Sequence, residues 1–197
     1  VVISDEIWSD IILPGHKHIP TQSVSEDARM RTVALYAPSK TFNLAGLVGS
    51  FHIIYNEKLR DRVCAVSNKT HYNEMNVLSM HALIGAYQPQ GYEWVDELNQ
   101  VLADNIEYFC TYAEKHWKGV AFSRPQGTYM VFLDCTEWCR EHGRDIQWLL
   151  DEGARVGVGY QDGRPFHGPC HVRVNLALPL SRVKEACDRL DRYVFNA

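Results

Sequence analysis

"TVALYAPSKTFNLAGLVGS", residues 32–50, contains an apolar run that stops at a proline and is followed two residues later by a lysine. Thr32 to Ala37 reads as a buried strand, since the run is apolar and Pro38 cannot donate to a sheet ladder. Lys40 therefore stands at a strand end, beside the hydroxyl of Ser39. From Thr41 to Leu47 polar and apolar residues mix without a helical or strand period, which marks a loop.

Working outward, Val1 to Ile3 is a β-branched run ending in Ser4-Asp5-Glu6, and it too reads as a buried strand. Val48 to Tyr55 predicts a third strand, whose near-continuous apolar character suits a sheet covered on both faces. Helices are expected at Glu57 to Val66 and, with Asn73 as cap, at Glu74 to Tyr87, before the punctuation of Pro89 and Gly91. Trp94, Val95, Leu98, Leu102, Ile106, Phe109 and Ala113 recur at helical spacing and predict one long amphipathic helix from Tyr92 to Trp117.

Beyond that helix come short strands at Val120 to Phe122 and Tyr129 to Leu133, separated by "SRPQG". A helix is expected at Ile146 to Glu152, a strand at Val172 to Leu176, and a final helix capped by Ser181 and running to Tyr193. The fold class is α/β, with a smaller α+β region of mixed or antiparallel sheet after the long helix. Val1 opens the chain inside an apparent strand, so the reading expects the second part of a longer protein.

Composition excludes several classes. With 46% hydrophobic and 22% charged residues the chain can bury a core. A net charge of −4 with scattered Lys and Arg gives no field for nucleic acid, so none is expected as partner. No apolar run nears the roughly 18 residues of a membrane span, and the first residues lack signal-peptide features; a cytoplasmic protein without membrane contact is expected. The six cysteines follow no disulfide spacing. Cys135, Cys139 and His142 lack the second cysteine pair of a structural zinc site, so no metal is expected.

A lysine at a strand end beside a hydroxyl, with an acid at the end of a neighbouring strand, suits covalent capture of a phosphorylated aldehyde cofactor. "SDEIW" (4–8), "APSKTFNLAGL" (37–47) and "HVRVNLALP" (171–179), in that order, resemble the fold-type I pyridoxal-phosphate (PLP) enzymes of the class I/II aminotransferase superfamily. "SDEIWSDIILPGHKHIPTQSVS" (4–25) with the lysine motif is most similar to the MalY/PatB-type cystathionine β-lyase branch.

The resemblance implies that residues 1–91 are the C-terminal part of a large mixed-sheet PLP domain, 92–117 a connecting helix and 118–197 the small C-terminal domain. It implies that Lys40 is the Schiff-base lysine and the catalytic base, and that Asp5 faces the pyridine nitrogen. Ser39 would contact the cofactor phosphate. Arg173 would clamp the substrate carboxylate; period-two alternation puts it with His171 and Asn175 on one strand face, opposite Val172, Val174 and Leu176. Trp8 stands where relatives often carry Tyr or His against the cofactor's phenolic oxygen, so its indole can donate there but cannot titrate. The chain also departs from relatives in lacking an arginine near Val48 and after Pro179.

The implied activity is PLP-dependent carbon–sulfur β-lysis of L-cystathionine or related cysteine S-conjugates, with a homodimer as the working form. An aminotransferase, or an aminotransferase-like sensor domain of a transcription regulator, is the alternative. The 197 residues alone are expected to be inactive, because the phosphate loop and the ring-stacking aromatic of such enzymes belong to the preceding half. Glu6 is assigned a supporting or surface role, and His16 and His18 a solvated loop. His71 and Tyr72 are placed near a dimer interface.

Overall fold

Strand β1 (Val2–Asp5) and strand β2 (Thr32–Tyr36) run parallel, with Val2 opposite Thr32 and Asp5 opposite Leu35. The computed structural model describes residues 1–196, which divide into two compact units, residues 1–99 and 100–196.

In the first unit a 3-10 turn at Thr21–Ser23 and the short helix α1 (Glu26–Arg31) connect the two parallel strands. Ser25 caps α1 by accepting the Ala28 N–H at 3.0 Å. Helix α2 (Pro38–Thr41) follows β2 directly, then a 3-10 turn at Ala45–Leu47 and strand β3 (Phe51–Ile53), which pairs antiparallel with β2. The order β1-β2-β3 is a three-stranded mixed sheet. Helices α3 (Glu57–Thr70), α4 (Val77–Ala86) and α5 (Pro89–His116) complete this part, the last continuing past Asn99 into the second unit.

Four expectations change here. β2 is buried as predicted over Thr32, Val33 and Ala34, but β1 is an edge strand with Ile3 73% exposed. The third strand is shorter and more open than Val48 to Tyr55: Val48 takes φ 51°, ψ 51° as cap of the preceding 3-10 turn, a left-handed conformation that breaks an extended run. Asn73 does not cap α4; its amide donates to Asn68 Oδ1 at 2.6 Å, and Asn76 caps instead by accepting the Ser79 N–H at 2.9 Å. Pro89 and Gly91 begin α5 rather than separating it from α4, proline being tolerated in a first helical turn. Helix α4 is apolar, yet Val77, Leu78, Met80 and Ile84 are exposed.

The second unit holds strand β4 (Met130–Asp134), helices α6 (Thr136–His142) and α7 (Ile146–Arg155), strand β5 (Gln161–Asp162), a 3-10 turn at Arg164–Phe166, strand β6 (His171–Asn175) and helix α8 (Leu180–Leu190). Its sheet is antiparallel in the order β4-β6-β5. The core gathers Phe109, Trp117, Trp138, Leu149, Val183 and Phe195, with Trp117 stacked on Phe195 at 4.5 Å and Trp138 Nε1 donating to the Phe195 carbonyl at 3.1 Å. Buried Asn105 on α5 donates to the carbonyls of Leu176 at 2.9 Å and Leu178 at 2.7 Å, fixing the chain as it leaves β6.

Val120 to Phe122 contributes only an isolated bridge, Ala121 to Asp134. The final helix starts at Leu180 with Pro179, not Ser181, at the cap position, and ends at Leu190 in a π-turn, Asp191–Phe195. No described helix is long and apolar enough to cross a membrane.

Candidate active site

Because β1 and β2 are parallel, the chain leaves both at the same edge, and ligands of open α/β sheets collect at carboxyl ends of strands. The Glu6 N–H donates to the Leu35 carbonyl at 2.9 Å, extending the pairing one residue past Asp5. Asp5 is exposed, and its Oδ1 accepts the Ile7 N–H at 3.2 Å. Past β2, Ala37 remains extended and Pro38 takes the first helical position, where its missing N–H costs nothing. Ser39 and Lys40 lie on that single turn.

The turn is anchored from behind. Thr41, fully buried, donates to Asp10 Oδ2 at 3.0 Å, while the Asp10 carbonyl accepts from Asn99 Nδ2 at 2.9 Å. Lys40 Nζ lies 5.9 Å from the centroid of the Trp8 ring, at the outer range of a cation–π contact. Among the described residues Lys40 makes no ion pair and the Ser39 hydroxyl has no hydrogen-bond partner. Four of the residues singled out by sequence, Asp5, Trp8, Ser39 and Lys40, thus belong to the two segments that leave one sheet edge.

Glu6 takes the supporting one of its two expected roles, not the surface one. It is 4% exposed, and its carboxylate is the centre of a network: Oε1 accepts from the Thr21 N–H at 2.9 Å and Ser4 Oγ at 3.0 Å, and Oε2 meets His18 Nε2 at 2.7 Å and the Tyr36 hydroxyl at 3.2 Å. Burial opposes its ionisation, but the bonds from His18, Thr21, Ser4 and Tyr36 outweigh burial and hold the carboxyl below its ordinary range. Burial, with the neighbouring Glu6 charge, pushes the Tyr36 phenol up to about 12. His18 is therefore bound into the frame of β1 rather than lying free in a loop, whereas His16 is exposed. The network was hidden because its four partners come from separated parts of the sequence.

In the second unit β6 alternates as its sequence predicts: Val172, Val174 and Leu176 are buried, and Arg173 faces the other way. Arg173 pairs in register with Phe132 on β4 and Gln161 on β5. Its guanidinium carbon sits 4.5 Å from the centroid of Phe166, and its buried Nε has no hydrogen-bond partner among the described residues. An arginine held over an aromatic ring with an unmatched buried donor has capacity for an anion.

The remaining candidates carry less. His71 meets Glu74 Oε1 at 2.7 Å and Tyr72 is exposed. His142 stacks on Trp138 at 4.3 Å, with Nδ1 2.8 Å from the Trp138 carbonyl, so its ring is engaged away from Cys135 and Cys139.

In sequence and fold the chain is similar to the fold-type I PLP-dependent enzymes of the class I/II aminotransferase superfamily. Within that superfamily the likeness is to the MalY/PatB-type cystathionine β-lyase branch. The chain is 30% identical over 192 residues to cystathionine β-lyase PatB of Bacillus subtilis, matching 96% of this chain and 48% of PatB. A PLP-bound putative aminotransferase from Clostridium difficile superimposes with a TM-score of 0.89 at 31% identity, over 97% of this chain and 49% of that one. The PLP-bound C–S lyase from Staphylococcus hominis gives 0.86 at 29% identity, over 98% and 50%. The chain spans about half the length of the curated relatives it matches. No family model matches it.

Proposed function

We propose that the protein is a PLP-dependent carbon–sulfur β-lyase that cleaves L-cystathionine or a related cysteine S-conjugate to thiol, pyruvate and ammonia. The observation that carries the reading is the shared edge of two parallel strands, from which Asp5 and Lys40 emerge. The donor set fits the cofactor: an exposed carboxylate for a ring N–H, an amine without an ion pair among the described residues, and an unmatched hydroxyl beside it. When bound, PLP supplies an electron sink for the carbanion at the substrate α-carbon.

Each residue then has a defined task. The Asp5 carboxylate would keep the pyridine nitrogen protonated by accepting its hydrogen bond. Lys40 Nζ would hold the cofactor aldehyde and would take the substrate α-proton. The Ser39 hydroxyl donates to the phosphate, and Trp8 lies beneath the lysine amine, where its indole N–H can also serve as a donor. Arg173 binds the substrate α-carboxylate through its planar fork. The working form is a cytoplasmic homodimer in which residues 1–91 belong to the large domain, 92–117 connect and 118–197 form the small one.

An aminotransferase would use the same groups, so the products decide. The protein at its full natural length, loaded with PLP, is given cystathionine, and pyruvate is followed with a lactate dehydrogenase couple beside thiol release. Pyruvate and thiol should appear in equal amounts and faster than amino transfer to a keto acid. Efficient transamination with negligible pyruvate would replace the lyase reading.

A further inference from the structure

The segment between β5 and β6, residues 163–170, is built more tightly than a surface connection requires. A Cβ on Gly163 would stand 2.4 Å from the His171 carbonyl oxygen, and one on Gly168 would stand 2.5 Å from the Phe132 ring and 2.6 Å from His171 Cβ. Only glycine lets the backbone come that close to β6 and β4. Three backbone bonds close the segment on itself and on the strand: Gly163 N–H to the His171 carbonyl at 2.9 Å, Gly168 N–H to the Gly163 carbonyl at 3.0 Å, and His171 N–H to the Gly168 carbonyl at 3.1 Å. Asp162 on β5 adds a fourth hold, accepting the Arg164 backbone N–H at 2.9 Å and its Nε at 2.8 Å.

What this scaffold presents is Phe166, in the 3-10 turn Arg164–Phe166. The side chain is 44% exposed, so it adds little to the core, yet its ring lies 4.5 Å from the guanidinium carbon of Arg173. Arg173 in turn has its backbone fixed by pairing with Phe132 on one side and Gln161 on the other. Its side chain is held less firmly: among the described residues it belongs to no salt bridge, and its buried Nε has no hydrogen-bond partner.

We propose that Phe166 is a positioning residue, the platform that holds the Arg173 guanidinium ready for the substrate α-carboxylate. The inference rests on the reading of Arg173 as the clamp of that carboxylate. An aromatic face attracts the cation without taking up any of its N–H donors, so the whole fork stays available. A carboxylate in the same place would also hold the arginine, but it would compete with the substrate for those donors. Because the fork is oriented before substrate arrives, less side-chain freedom is lost on binding. The benefit falls on substrate affinity, and KM is where its loss shows.

The test uses the protein at its full natural length, loaded with PLP, and compares Phe166→Leu, Phe166→Tyr, Arg173→Lys and the double variant Phe166→Leu/Arg173→Lys. Absorbance of the bound cofactor checks that each variant keeps its fold and PLP. Phe166→Leu should raise KM for cystathionine about tenfold with kcat changed less than about threefold, and Phe166→Tyr, which keeps an aromatic face, should stay within about threefold of wild type. In the double variant the leucine should add less than about twofold to the effect of Arg173→Lys, since the platform then has no fork to hold. A residue that only supports the fold would instead give effects that multiply. The proposal is overturned if Phe166→Leu leaves KM within twofold of wild type while Arg173→Lys raises it, if the two effects multiply, or if Phe166→Tyr is as impaired as Phe166→Leu. Arg173→Lys with an unchanged KM would refute the clamp reading itself, and the proposal with it.

Discussion

Replacing Glu6 by alanine removes the acceptor of four hydrogen bonds at the end of β1, one residue from Asp5. The costs are unequal. Ser4 Oγ keeps a second partner, Thr21 Oγ1 at 2.7 Å, and the half-exposed His18 can turn to water. The Thr21 N–H and the Tyr36 hydroxyl have no second hydrogen-bond partner among the described residues, and two polar groups left unpaired at about 1–3 kcal/mol each put the loss near 4 kcal/mol. That corresponds to roughly a thousandfold change in a local opening equilibrium. Hydrogen-exchange mass spectrometry on peptides covering residues 18–24 should therefore show exchange faster by about two to three orders of magnitude. Glu6→Gln, which keeps one carbonyl acceptor but loses the charge, should fall between.

The pH dependence has a definite sign. The folded-state pKa of Glu6 is lowered, so its contribution is complete above the ordinary glutamate value of about 4.3 and is lost as pH falls through the lower folded value. The gap between wild type and Glu6→Gln should close over that acidic range. Exchange within threefold of wild type in Glu6→Ala at neutral pH would refute the network as the support of this edge.

Other perturbations follow from single contacts. A Cβ on Gly91 would stand 1.8 Å from the Ala86 carbonyl oxygen, so Gly91→Ala should lower denaturant stability by about 1–3 kcal/mol, outweighing the roughly 1 kcal/mol that alanine adds to a helix. Asn105→Ala removes two bonds, but the Leu176 carbonyl keeps the Leu178 N–H at 2.9 Å and Leu178 is exposed, so a loss of about 1–3 kcal/mol in the same measurement is expected. Arg173→Lys exchanges a planar fork for a point charge; in steady-state kinetics KM for the amino-acid substrate should rise about ten- to a hundredfold, with kcat falling less.

Where a repeating period governed burial, the sequence was legible. Thr32 to Tyr36, the helix through Leu102 and Phe109, and the alternation around Arg173 all appear where their patterns put them. Elements set by one local conformation were not. Val48 looks like a strand residue in composition, and only its left-handed backbone shortens β3. Asn73 was the expected cap, but its amide is bonded to Asn68 and the Ser79 N–H is accepted by Asn76, three residues on. At the candidate site, Asp5 and Lys40 were readable because strand ends and a proline mark them. The burial of Glu6 depends on His18, Thr21 and Tyr36 arriving from three directions, which no spacing encodes.

The central claim, that the lysine on the turn after β2 holds the cofactor, is tested most directly by trapping. The protein at its full natural length is incubated with PLP, reduced with borohydride, digested and mapped by mass. The account predicts a pyridoxyl adduct on Lys40 and none after Lys40→Ala. An adduct on another lysine, or none at all on a protein that remains folded, would contradict it.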